Sequence, residues 1–458
     1  MLSPHRHHDT ALTPRYGTRF LDSPIPRDAL PHGQMPADVA YQLVHDELNL
    51  DGNPALNLAS FVTAWMEPEA DRLMVETLAK NFIDADEYPQ TTEIQHRCVN
   101  MIARLWHAPG GDDGAVGTAT VGSSEAIHLA GLAMKWRWRA QHSAGGTPNL
   151  VMSQGVQVCW EKFARYFDVE PRFVPLAEDR YVLDVDRALE LVDDDTIGVV
   201  AILGTTYTGE YEAVAELDAK LRELNDATGR DVGIHVDGAS GGFVAPFLSP
   251  DLTWDFRLPL VRSINASGHK YGLVYPGVGW VVWRTKADLP EELIFHVNYL
   301  GGDQPTFNLN FSRGAGQIVA QYFNFLRLGE AGYRSIMEAL RDTTAFLEEA
   351  VRKTGHFEIL SRPDSLPLVC ARLKGPERFT VFDVSERLRE RGWIVPAYTM
   401  AADAQDVAVL RMVVRDGFSR DMAENLAADL GRAVGKLQAQ GDSAATVPPQ
   451  PTKTKGVC

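Results

Sequence analysis

Short runs of β-branched and aliphatic residues alternate along this chain with longer stretches in which apolar positions recur every three or four residues. The runs at 149–153, 196–203, 232–237, 263–266 and 278–283 have strand length. The stretches at 124–141, 214–228 and 316–328 have helical spacing. Strand and helix in alternation predict an α/β domain on a mostly parallel sheet; the pattern leaves the direction of 279–283 open. Further on, 334–354 predicts a long helix. Short segments at 357–360, 368–373, 393–396 and 408–414 follow, with helices at 381–391 and from Arg420 onward. That reads as a second, compact α+β unit. The expected organisation is an N-terminal arm (1–55, with a helical piece at 37–48), a large domain (56–340), a small C-terminal domain (341–440) and a flexible tail (441–458).

Composition narrows the class. The chain has 458 residues, 45% of them hydrophobic, the proportion of an ordinary globular protein. No apolar run reaches the length of a membrane span, and the N-terminus carries His5, His7 and His8 rather than the apolar core of a signal peptide, so a cytoplasmic location is expected. The net charge of -17 works against nucleic acid and anionic membranes as partners. It also means that an anionic ligand would need cations and N–H donors placed locally. Cys98, Cys159, Cys370 and Cys458 are scattered, with no Cys-x-x-Cys pair, so neither a metal site nor a disulfide framework is expected.

Candidate chemistry gathers at the ends of the expected strands. Lys270 sits in a small-residue loop, Ser267-Gly268-His269-Lys270, about thirty residues after His235-Val236-Asp237-Gly238-Ala239. A lysine amine can condense with an aldehyde, and a carboxylate at a strand end can hold a pyridine nitrogen protonated. Together they point to pyridoxal 5′-phosphate (PLP), with Lys270 as the Schiff-base lysine and Asp237 as the ring-nitrogen partner. Gly122-Ser123-Ser124-Glu125 opens a periodic helix, where hydroxyls and free N–H groups suit a phosphate. Thr206 follows another apolar strand and could reach the phenolic oxygen. Ala239 is small enough to lie against one ring face, and Gln157 could cover the other. A dehydrogenase reading fails for want of a Gly-x-Gly-x-x-Gly turn.

These segments, from Gly-Ser-Ser-Glu-Ala through His-Val-Asp-Gly-Ala-Ser-Gly-Gly-Phe to Asn265-Ala266-Ser267-Gly268-His269-Lys270, resemble the fold-type I, group II PLP decarboxylases. The resemblance narrows to the glutamate decarboxylases through Phe82-Ile83-Asp84, Glu87-Tyr88-Pro89-Gln90, Arg97-Cys98-Val99-Asn100-Met101, Trp254-Asp255-Phe256-Arg257-Leu258-Pro259 and Tyr299-Leu300-Gly301-Gly302. It runs from about Leu56 to Gly417. It implies a seven-stranded, mostly parallel sheet in the large domain, and conversion of L-glutamate to 4-aminobutyrate and CO₂ through a Lys270 Schiff base and a quinonoid. It further implies that Ser123, Ser124 and Ser267 hold the phosphate with His269 beside them, and that Ser312 makes a phosphate contact in the neighbouring subunit. Ser60, Phe61, Asn81 and Asp84 would hold the distal carboxylate, and Arg415 the α-carboxylate, with Arg411 as the competing choice. Tyr299 is the expected proton donor to Cα, with Lys270 as the alternative. The resemblance also implies a homodimer or homohexamer. Calmodulin is not an expected partner, because the tail ending Thr454-Lys455-Gly456-Val457-Cys458 has no Trp-containing basic helix before it. Action on aspartate, carbon–carbon lysis and a silent scaffold are the rival readings.

Overall fold

The structure, a computed structural model, describes residues 25–110, 115–142, 145–298 and 302–439. Described residues up to Pro54 form one unit and those from Ala55 another. In the first, helix α1 (Ala37–Leu48) carries Asp38 in its first turn and His45 in its last, the arrangement a helix dipole favours. The His cluster near the N-terminus, Cys458, Tyr299 and the tail lie outside the described residues.

In the larger unit, α2 (Pro68–Thr77) and α3 (Pro89–Leu105) each begin on a proline, whose missing N–H costs nothing at a helix start. Then come β1 (Val116–Thr120), α4 (Ser123–Gln141), β2 (Asn149–Ser153), α5 (Val158–Tyr166), β3 (Glu170–Val174), α6 (Val185–Glu190), β4 (Thr196–Ile202), α7 (Val214–Thr228), β5 (Ile234–Asp237), α8 (Ala245–Leu248), β6 (Val261–Ala266) and β7 (Gly279–Trp283). The seven strands form one sheet in the order β1-β7-β6-β5-β4-β2-β3. Pairs from β3 through β6 are parallel, while β7 runs antiparallel to both β6 and β1. The expected mostly parallel α/β sheet is present, and the direction of 279–283 is settled.

Both faces of the sheet are buried, which is why its central strands read as continuous apolar runs rather than alternating ones. Along β4 the period of two is still visible: Val199, Ala201 and Leu203 join the main core, and Val200 and Ile202 join a second cluster with Trp160 and Phe163 of α5. Gly279 at the start of β7 has a packing reason. A Cβ there would lie 2.5 Å from the Gly122 carbonyl carbon, so only glycine lets the sheet approach the start of α4.

A hairpin of β8 (Phe295–Val297) and β9 (Gln304–Thr306) leads to α9 (Gly316–Lys353). The two helices expected at 316–328 and 334–354 are one element with a break. Gly329 holds φ 56 and ψ -174, the non-helical point between them. The C-terminal part contains β10 (Phe357–Ile359), β11 (Leu368–Leu373), α10 (Val381–Arg389), β12 (Ala397–Thr399), β13 (Ala408–Val413) and α11 (Arg420–Ala439). Its strands form an antiparallel sheet in the order β10-β11-β13-β12. The segment expected at 393–396 precedes its strand rather than forming it. Among the described residues no helix is long and apolar enough to cross a membrane.

Candidate active site

The C-terminal ends of parallel strands are where open α/β sheets bind ligands, because helix N-termini and loop residues converge there. A cavity of about 470 Å³ lies at that edge. Gly122 to Glu125, Gln157, Thr206, Asp237, Ala239, Ser267, His269 and Lys270 all line it, so residues from five separate stretches of the sequence meet there.

Asp237 is the last residue of β5 and is buried. Its Oδ2 accepts the Trp160 indole N–H at 2.8 Å, and its Oδ1 accepts from Asn265 Nδ2 at 3.2 Å and from the Ala239 N–H at 3.1 Å. Lys270 Nζ donates to Ser240 Oγ at 3.0 Å and stands 5.4 Å from the centre of the Phe61 ring. Burial pushes the Lys270 amine below its ordinary value, and the Asp237 charge offsets this only in part. An amine with a lowered pKa is the form that attacks a carbonyl.

The lysine loop is held from several sides. Thr63 Oγ1 donates to the Lys270 carbonyl at 2.7 Å, Gln321 Nε2 and Tyr333 Oη to that of Gly272 at 2.9 Å each, and Asn324 Nδ2 to that of Leu273 at 2.6 Å. These clamps keep Leu273 at φ 65, a left-handed conformation that a leucine rarely adopts unless its surroundings impose it.

The phosphate end can be tested for fit. Ser123 Oγ and Ser267 Oγ lie 2.7 Å apart at the start of α4, where a helix has unpaired N–H groups. His269 Nδ1 is buried beside them and has no hydrogen-bond partner. Its imidazole is pushed down to about 4, first by burial and then by the Lys270 charge, and so is neutral. Two hydroxyls, a helix start and an orphaned ring nitrogen fit a phosphate. With a buried amine and a strand-end carboxylate in the same cavity, the residues fit PLP.

Phe61 is brought to Lys270, while Ser60, whose Oγ accepts the Val62 N–H at 3.1 Å, does not line the cavity. Phe61 is buried between Lys270 and Arg411, whose guanidinium carbon is 5.0 Å from the ring centre. Arg411 also donates to the Thr206 and Ala59 carbonyls. Arg415, four residues further on, is also buried and donates to the Asn57 carbonyl at 3.1 Å. Of the two arginines, Arg411 contacts the cavity wall directly.

Asn81, Asp84 and Ser312 form a separate group. Asn81 Nδ2 reaches Ser312 Oγ at 3.4 Å and Asp84 Oδ1 at 3.5 Å, and Asn81 Oδ1 accepts the Arg313 N–H. None of the three lines the Lys270 cavity. Ser312 lines an adjoining cavity of about 400 Å³ that shares Val121 and Asn310 with it.

Several contributors escaped the sequence reading: Ser240, Trp160, Asn265, Asn310 and Glu125. Ser240 and Asn265 lie inside the two motifs and were within reach of a closer reading. Glu125 is buried and accepts from the Val121, Leu309 and Asn310 N–H groups at 2.8, 3.0 and 3.2 Å, tying the segment that carries Asn310 to the start of α4.

A mostly parallel seven-stranded sheet whose strand-end cavity holds a buried lysine amine, a carboxylate and paired serine hydroxyls at a helix start has the makings of a PLP-dependent enzyme. The model of the pyridoxal-dependent decarboxylase conserved domain matches residues 31–374. Glutamate decarboxylase 5 of Arabidopsis thaliana is 59% identical over 91% of this chain and 86% of its own length. The probable glutamate decarboxylase gamma of Listeria monocytogenes is 49% identical over 93% and 92%. The solved glutamate decarboxylase of Lactobacillus brevis CGMCC 1306 superposes with a TM-score of 0.90 at 47% identity, covering 95% of this chain and all of that one. The chain belongs to the pyridoxal-dependent decarboxylase family, in its glutamate decarboxylase branch.

Proposed function

We propose that this protein decarboxylates L-glutamate to 4-aminobutyrate and CO₂. The observation that carries the reading is the meeting of Lys270, Asp237 and the Ser123–Ser267 pair in one cavity, in a chain so similar to glutamate decarboxylases. PLP, held there, supplies the aldehyde that takes up the substrate amine and a cationic ring that accepts the electron pair left at Cα as CO₂ departs.

Lys270 would hold PLP through its side-chain amine, in exchange with the substrate amine. Its lowered basicity keeps a share of the amine neutral for that exchange. Asp237 balances the charge of the protonated ring. Ser123, Ser124 and Ser267 bind the phosphate, and Thr206, Gln157 and Ala239 position the ring. Arg411 is the cation for the α-carboxylate that the cavity wall favours, with Arg415 behind it. Ser60 and Phe61 orient the distal carboxylate, and that fixed torsion is what positioning contributes to the rate. Tyr299 is the proposed proton donor to Cα.

Asn81, Asp84 and Ser312 are better suited to a second copy of the chain than to their own Lys270. They are hydrogen-bonded together beside an adjoining cavity, so a homodimer would let this group complete the partner's site. The test is to incubate the protein with PLP and, separately, glutamate, aspartate and an aromatic amino acid, with detection of amine and CO₂. Turnover of glutamate alone is expected; preference for another substrate, or none, overturns the reading.

A further inference from the structure

Behind Asp237 lies a closed ring of side chains to which the functional reading above assigns no role. Asp237 is joined to Trp160 and to Asn265; Asn265 Oδ1 meets His235 Nε2 at 2.8 Å; and the His235 ring stacks edge-on against Trp160 with centres 5.2 Å apart. His235 Nδ1 meets Ser263 Oγ at 2.7 Å. Trp160, His235, Ser263 and Asn265 are all essentially inaccessible to solvent, so every donor here needs an acceptor within the protein.

The chemistry of each group then fixes the next. An ionised Asp237 carboxylate only accepts, so the group of Asn265 that faces it is the NH₂ and its carbonyl faces His235. A carbonyl only accepts, so His235 carries its proton on Nε2. Its Nδ1 is then bare and accepts from the Ser263 hydroxyl. Burial pushes the His235 ring down to about 4, with Asp237 opposing, which agrees with a neutral imidazole. The chain of donors runs one way, from Ser263 through His235 and Asn265 to Asp237. Three N–H groups converge on the two Asp237 oxygens, counting Trp160 and Ala239. They fill three of the carboxylate's roughly four acceptor sites and favour its charged form, leaving one site on Oδ2 for a ring N–H.

We propose that Trp160, Asn265 and His235 are positioning residues that hold the Asp237 carboxylate ionised and in one orientation, and so keep the pyridine nitrogen of PLP protonated. The inference rests on the functional reading above, because it takes Asp237 as the ring-nitrogen partner. It adds the device by which that carboxylate keeps its charge although buried.

The test uses full-length protein loaded with PLP whose ring nitrogen is isotopically labelled and read by solid-state NMR, which separates pyridinium from neutral pyridine. PLP affinity of the cofactor-free form is measured alongside. Trp160→Phe keeps the ring and deletes one donor; Asn265→Asp keeps the shape and turns the NH₂ into a second acceptor against Asp237. Wild type is expected to show a pyridinium signal. Trp160→Phe should weaken PLP binding about tenfold, the loss of one hydrogen bond to a charged group. Asn265→Asp should weaken it about a hundredfold and shift the signal toward neutral pyridine, because two adjacent carboxyls share a proton. If Asn265→Asp does not fold, Trp160→Phe carries the test through its affinity and signal. Pyridinium signal and affinity unchanged from wild type in the folded variants overturn the inference while leaving the functional reading intact. Wild type that binds no PLP removes both.

Discussion

Replacing Glu125 by alanine should destabilise the protein by about 3 kcal/mol and loosen the cofactor cavity. The carboxylate accepts three backbone N–H bonds, from Val121 on one oxygen and from Leu309 and Asn310 on the other. Deleting an acceptor exposes each donor to a desolvation cost of about 1–3 kcal/mol. Val121 and Leu309 are each 46% exposed, so water can reach part of this region, and the low end, about 1 kcal/mol per donor, is the appropriate figure. Loss of a negative charge from the first turn of α4 adds about 0.5 kcal/mol. Glu125→Gln keeps one acceptor oxygen and should cost roughly half as much. The assay is urea unfolding of the PLP-free protein at neutral pH, followed by circular dichroism, with PLP affinity measured on the same samples. Because Asn310 lines the cavity, affinity should fall together with stability. A Glu125→Ala protein within about 0.5 kcal/mol of wild type, the scatter of an ordinary surface substitution, would refute the claim that this carboxylate anchors the 308–310 segment.

Other outcomes follow from burial and packing. Lys270 has a folded-state pKa below its unfolded value, so as pH rises the folded protein loses that proton first and stability increases up to about pH 10.5; the gain should be absent from Lys270→Met in pH-dependent urea midpoints of the PLP-free protein. Glu212 behaves oppositely. Burial pushes its carboxyl up to about 8 against two backbone N–H bonds, so between about 4.5 and 8 the folded state alone holds the proton and stability falls as pH rises. Glu212→Gln should therefore gain on wild type across that window, and parallel curves would count against it. Gly241→Ala would place a Cβ 2.2 Å from the Leu203 carbonyl oxygen, backbone against backbone, and should cost about 3 kcal/mol in the same assay. Tyr299→Phe should retain PLP but divert some turnovers to abortive transamination, visible as 4-oxobutanoate, the aldehyde counterpart of the product; an unchanged product ratio removes Tyr299 from proton transfer.

The central sheet was legible because β2, β4, β5, β6 and β7 are short, β-branched and buried on both faces. β1, Val-Gly-Thr-Ala-Thr, has too little apolar character to stand out. β3 is an edge strand with Pro171 in it and two exposed residues at its start, a pattern that reads as loop. α3 carried a helical stripe, with Cys98, Val99, Ile102 and Ala103 buried, but the residues there were read as family motif rather than as an element. In the site, Lys270, Asp237 and the serines were legible because their chemistry is written in local motifs. The bond from Trp160 to Asp237 spans 77 residues, and that from Asn81 to Ser312 spans 231. Such pairings are made by the fold, and no local spacing announces them. The choice between Arg411 and Arg415 was left open for the same reason. Arg411 lies within β13 and Arg415 just beyond its end, and they are distinguished by the Phe61 ring and the Thr206 and Ala59 carbonyls that Arg411 meets across the fold.

The most direct measurement is borohydride reduction of the PLP-loaded protein, followed by peptide mass mapping. The account predicts a single phosphopyridoxyl group on the Lys270 side chain, with no labelling and no glutamate turnover in Lys270→Ala. A label on a different lysine, or glutamate turnover that survives Lys270→Ala, would contradict it.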